Sequence, residues 1–119
     1  LKDLKNIIFT VSMLLCGLLL GACASQQHGY QLAEGKQSFI SGDYKESFHT
    51  LLPLASQGVP EAEYAVGYMY YYGYGVTRDS ESGMFWMEKA AQKNNKPAKE
   101  ALDLIHKQNV TQKLSTPGY

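Results

Sequence analysis

Few side chains in this sequence could carry a reaction. His28, His49 and His106 lack the spacing of metal ligands; His28 falls in a short polar stretch and the other two read as solvated or packed, so no metal site is expected. Glu61 and Glu63 resemble the paired carboxylates of acid–base catalysis. Alternate positions on a helix point apart, however, and two acids at a helix start are better explained by its positive end. Gly73-Tyr74-Gly75 reads as a turn rather than a phosphate loop, because no Lys-Ser/Thr follows. No Ser/His/Asp or Cys/His nucleophile set is visible, and no cofactor is expected. Two features are left: Cys23, and an excess of tyrosine, with nine against four phenylalanines and six of the nine within residues 64–74. Tyrosine offers a flat apolar face and a hydroxyl at small entropic cost, which suits a binding surface.

The 119 residues suffice for one small domain, and 45% apolar with 18% charged residues is a globular composition. A formal net charge of zero leaves no basic footprint for nucleic acid. Lys2 and Lys5 precede a 14-residue apolar run, 7–20. As a helix it would be about 21 Å long, too short for a hydrocarbon core of about 30 Å, so a secretory signal fits better than a membrane span. Leu20-Gly21-Ala22-Cys23 at its end resembles the bacterial lipobox. The resemblance implies a signal peptide over 1–22, lipidation of Cys23, a lipid-anchored protein of the bacterial cell envelope and, with Ala24 after the cysteine, the outer membrane facing the periplasm. Several acyl chains together anchor firmly where one is marginal. Cys16 would leave with the signal, so the mature chain would fold without a disulfide. It would carry 9 basic and 10 acidic groups, a formal −1.

Residues 23–29 read as a lipidated tether. A first helix is expected over about 30–41, with Leu32, Lys36, Phe39 and Ile40 on one stripe. Asp43 can cap a second over about 43–57, which aligns Tyr44, Phe48, Leu51, Leu52 and Ala55 and should bend at Pro53. Gly58 suits a left-handed helix end and Pro60 the first turn of a third helix, 60–72. After a turn at Gly73-Tyr74-Gly75-Val76, Asp79 caps a fourth helix, about 79–93, which buries Gly83, Trp86, Met87, Ala90 and Ala91. A fifth, about 96–107, aligns Ala98, Ala101, Leu102 and Ile105. Residues 108–119 read as a flexible tail.

A period of 36 relates Asp43 to Asp79, Ala55 to Ala91, Ala62 to Ala98, Val66 to Leu102 and Met69 to Ile105. Two helices per unit at that period mark an α-solenoid. Residues 62–91 closely resemble the Sel-one-like repeat, a relative of the tetratricopeptide repeat. The resemblance rests on Ala62, Tyr64, Gly67, Met69, Tyr70, Gly73, Gly75, Val76, Asp79, Trp86, Lys89, Ala90 and Ala91. It implies an all-α fold, a short solenoid of antiparallel helix pairs over 30–107, with 30–58 a degenerate unit and 96–107 the first helix of another. Units of this kind bury their faces on neighbours, so help is expected from a partner, a dimer contact or the last helix acting as a cap.

Tyr64 and Tyr70 match the family pattern and read as packing, whereas Tyr68, Tyr71, Tyr72 and Tyr74 occupy variable positions. In tetratricopeptide-like arrays the first helix of each unit lines the concave face, so these four could form a recognition patch or merely cover the solenoid's open edge. The expected function is a non-enzymatic scaffold that binds an unidentified cell-envelope protein. The alternative is a peptidoglycan or glycan binder serving a cell-wall enzyme. A hydrolase ranks last, because the mature chain lacks the cysteines of the relatives linked to that activity.

Overall fold

A computed structural model describes residues 1–115, with the side chains of residues 15–26 outside that description. Five helices account for the described chain: α1 (Lys2–Ser41), α2 (Tyr44–Ser56), α3 (Pro60–Tyr72), α4 (Ser80–Gln92) and α5 (Lys96–Ser115). The chain divides into two units, Leu1–Gln31 and Leu32–Tyr119. In the first the backbone is helical throughout from Lys2, so the stretch expected as a tether is helix. Ala24 to His28 include no proline, and extending an existing helix needs no new nucleus. Among the described residues no helix is long and apolar enough to cross a membrane.

The second unit is a stack of helix pairs, an all-α Sel1- or tetratricopeptide-like solenoid. Each start and stop has a local cause. Asp43 accepts from the Glu46 N–H at 3.3 Å, and 36 residues on Asp79 accepts from Glu81 and Ser82, both at 3.1 Å. Pro60 fills the first position of α3, where a missing N–H costs nothing. Helix α2 continues through Pro53 to Ser56. Its end at Gly58 (φ 87°) and the end of α4 at Asn94 (φ 64°) are again 36 apart and share one hydrogen-bond pattern. Gly58 and Val59 donate to Ala55 and Leu54, as Asn94 and Asn95 donate to Ala91 and Ala90. Asparagine tolerates the left-handed conformation, so the pattern survives the change from glycine. Asn95 then caps α5 through the Ala98 N–H at 3.0 Å, and α5 runs on to Ser115 instead of ending near 107.

Leu51, Leu54, Ala55, Ala62, Val66 and Met69 are buried between α2 and α3; Met87, Leu102 and Ile105 form a second cluster under α4 and α5. Each buried Leu, Ile, Val or Met side chain among them contributes roughly 1.5–3 kcal/mol. Of the stripe expected on α1, Leu32 and Phe39 pack on the first cluster, but Ile40 is 77% exposed.

Helices α3 and α4 meet backbone to backbone. A Cβ on Gly67 would lie 2.8 Å from the Gly83 carbonyl, and one on Gly83 would lie 2.8 Å from the Tyr71 amide nitrogen. In the preceding pair Ser47 stands 36 residues before Gly83, and its hydroxyl donates to the Gly35 carbonyl at 2.8 Å. Gly75, at φ 71°, rests on the backbone of Tyr44 and Lys45 at the start of α2, leaving no room for a Cβ.

Glycine to alanine in an open helix stabilises by about 1 kcal/mol. Gly83→Ala should instead destabilise by about 1–3 kcal/mol, because backbone atoms must separate; urea melts followed by circular dichroism check the sign. Hydrogen bonds from Ser82 hold the Asp79 carboxyl below the usual carboxylate range. A depressed folded pKa contributes stability above the unfolded pKa, and this is lost as pH falls through the folded value. Asp79→Asn should therefore flatten the acid limb of the stability curve, read as urea midpoints measured stepwise from neutral to acid pH; parallel curves would exclude the contribution.

Candidate interaction groove

On one side of the second unit lies a groove of about 490 Å³. Helix α1 supplies Lys36, Phe39 and Ile40, and α3 supplies Tyr64, Ala65 and Tyr68. Leu51 contributes to its lining from α2, Glu61 comes from the start of α3, and Asn95 and Pro97 come from the start of α5. The concave face is thus built by the first helix of each pair. Positions 64, 68 and 72 recur every fourth residue, so their rings form a ladder along α3, with centroids 6.2 Å apart from Tyr64 to Tyr68 and 4.5 Å from Tyr68 to Tyr72.

Tyr74, on the turn after α3, lies nearly parallel to Tyr68 at 6.0 Å. It also packs on Tyr44 at 4.8 Å and Phe39 at 5.6 Å, which ties the turn to the α1–α2 junction. Tyr72 is 50% exposed. Tyr68, Tyr72 and Tyr74 therefore share one aromatic cluster. Tyr71 touches Tyr72 at 5.0 Å, but its backbone and Cβ face Gly83 and its side chain packs with the Met87–Leu102–Ile105 cluster. Tyr64, read from sequence as packing, does pack against the Met87–Leu102–Ile105 cluster, and it also lines the groove. Burial first, then the neighbouring Tyr72, raises the pKa of both Tyr64 and Tyr68, so both remain neutral phenols across the physiological range.

The residues expected to build the repeat fall as follows. Ala62, Gly67 and Ala90 are buried and Ala91 is partly buried. Gly73 closes α3 in the left-handed region. Trp86 is half-buried against the α2–α3 cluster beneath the Lys89 ammonium, 4.5 Å from the ring centroid. The Cys23 side chain lies outside the described residues.

Glu63 is the polar residue that the sequence reading misplaced. Its side chain is fully buried, with Oε1 2.6 Å from Lys93 and 3.7 Å from Lys89, while Oε2 has no hydrogen-bond partner among the described residues. Lys93 also donates to the Gly58 carbonyl at 2.9 Å, joining the end of α2, the start of α3 and the end of α4. Glu63 stands three and four residues before Val66 and Gly67, on the same buried stripe, and that spacing was legible.

Fold and groove together define a helical-repeat module. Residues 60–95 match the family model of the Sel1 repeat, so the chain carries a Sel1-like repeat. Over 80 residues it is 36% identical to the chitin synthase regulator SKT5 of Saccharomyces cerevisiae, an alignment that covers 67% of this chain and 11% of the yeast protein. The chain thus spans about a tenth of the length of that relative. No solved structure matches it. Sel1 repeats generally mediate protein–protein interaction, typically as non-catalytic modules.

Removing Lys93 would leave the buried Glu63 carboxylate with Lys89 alone, 3.7 Å away. Lys93→Ala should cost about 1–3 kcal/mol, below the range for broken buried pairs because the lysine is 40% exposed and Lys89 remains. Glu63→Leu combined with Lys93→Met should lie close to wild type. Urea unfolding of the three proteins checks the ordering.

Proposed function

We propose that this protein is a lipid-anchored scaffold of the bacterial cell envelope, held at the outer membrane through Cys23, which docks another envelope protein in the groove beside Tyr64, Tyr68 and Tyr72. The observation that carries the reading is the groove itself: concave, mostly apolar, and bordered by aromatic rings that the core leaves open. Such surfaces bind by shape and desolvation rather than reaction. The lipobox-like Leu20-Gly21-Ala22-Cys23 supports the anchor, and an anchor raises the local concentration of the groove at the membrane. The yeast relative is named as the regulator of an enzyme, which supports a role in holding or modulating an enzyme rather than being one.

Tyr71 leaves the binding patch in this reading, because its backbone and Cβ lie against Gly83 and it is not part of the groove lining. A glycan ligand is the second reading, favoured by the same exposed ring faces, on which sugars also stack.

Two variants test both halves together. Cys23→Ala should move the chain from the membrane fraction to the soluble periplasmic fraction and abolish labelling by radioactive palmitate. Tyr64→Ala/Tyr68→Ala should keep the membrane address and lose, by about tenfold or more, the envelope proteins crosslinked to wild type. An unlabelled wild-type chain would remove the anchor, and unchanged crosslinks would remove the groove.

A further inference from the structure

Helix α5 is longer than its packing. Its buried residues are Ala98, Leu102 and Ile105, and from His106 to Ser115 every residue is exposed. The exposed run includes Asn109-Val110-Thr111, three weak helix formers in succession. Tertiary packing supplies most helical stability, and these turns draw little of it from their own unit. The face they present is apolar. Leu104, Val110 and Leu114 are all largely exposed. With 3.6 residues per turn they fall within about a third of the helix circumference, and Asp103 and Lys107 lie between them.

The groove has matching needs. Its lining holds one base, Lys36 on α1, and one acid, Glu61 on α3, among mostly apolar side chains. Neither has an ion-pair partner among the described residues, and neither do Asp103 and Lys107. The neighbouring charges are engaged: Glu100 lies 3.7 Å from Lys96, and Lys99 donates to Asn94 at 2.8 Å. Groove and arm thus each carry one open acid and one open base, so neither sign prevails on either surface. The arm cannot fill the groove of its own chain. Helix α5 lines the groove at its start, through Asn95 and Pro97, and then runs unbroken to Ser115. That carries Leu114 about 26 Å along the axis from Pro97, with no turn to bring it back.

We infer that the groove takes α5 of a second copy of this chain, the two arms being exchanged about a two-fold axis. Asp103 of each copy then meets Lys36 of the other, and Lys107 meets Glu61. Leu104, Val110 and Leu114 cover the apolar wall around Phe39, Tyr64 and Tyr68. A two-fold contact requires a surface that is its own complement. A chain that carries the groove, the arm and both members of each charge pair meets that condition, and a second copy brings all of them together. The inference uses the groove of the reading above but not its envelope partner: the dimer is the closed state of the groove, and an envelope protein that binds there displaces the arm.

Two differently tagged full-length copies, co-expressed and purified in detergent, test it by co-purification, with sedimentation equilibrium for the affinity. Wild type should dimerise. Lys107→Glu sets like charges together at both contacts and should weaken its homodimer about tenfold or more, as should Glu61→Lys. Mixed with each other, these two variants again set an acid against a base at both contacts. They should associate to within about threefold of wild type, a recovery that only exchange between copies produces. Leu104→Gln/Leu114→Gln keeps good helix formers and should weaken the dimer about tenfold at unchanged helix content. The inference falls if the wild-type chain is monomeric at about 0.1 mM, if either charge reversal leaves the homodimer intact, or if the mixed pair does not recover. A monomer whose envelope crosslinks still depend on Tyr64 and Tyr68 would sink the exchange and leave the groove reading standing. A recovered mixed pair with no tyrosine-dependent envelope partner would support the exchange and sink that reading alone.

Discussion

The close approach of α3 and α4 at Gly67 and Gly83 governs the rest of this small structure. With so few helices the core is thin, and side chains alone would hold the second pair loosely. Where two backbones touch, dispersion contacts accumulate over the whole crossing and the relative position of the helices is fixed. That position in turn sets how Tyr64 and Tyr71 meet the second cluster and how Tyr64 and Tyr68 line the groove. A glycine that looks like a weakness within one helix is thus a requirement of two.

The first pair solves the same problem with different atoms. Gly35 admits Leu51, and Ser47, at the position of Gly83, spans the gap with a hydroxyl to the Gly35 carbonyl. Helix ends keep the period as well, since Gly58 and Asn94 close α2 and α4 with equivalent hydrogen bonds. Lys93, beside Asn94, reaches back one full unit to the Gly58 carbonyl and Glu63, so neighbouring pairs are joined by charge as well as by apolar contact.

Much of the fold was legible because its signals are local. Asp43 and Asp79 at helix starts, Pro60, Gly58 and the spacing of Ala62, Val66 and Met69 each depend on a few adjacent residues. What was not legible depends on neighbours distant in the chain. The role of Gly83 needs Tyr71 and Gly67 opposite; the ion-pair partner of Glu63, Lys93, lies thirty residues on. The division of the tyrosines depends on which flank of α3 the next helix covers, and periodicity along α3 alone cannot tell Tyr64 from Tyr71. The helical backbone of residues 24–29 was missed for another reason: small polar residues suit a tether and a helix equally, and context decides.

Gly75 gives the groove a mechanical character. The turn after α3 leans its bare backbone on the first residues of α2, and Tyr74 carries that contact on to Tyr44 and Phe39. One wall of the cleft is therefore clamped to the other at its Tyr72 end, while near Glu61 the Lys93 ammonium ties the start of α3 to the ends of α2 and α4, so the helix that carries the tyrosines is braced at both of its ends.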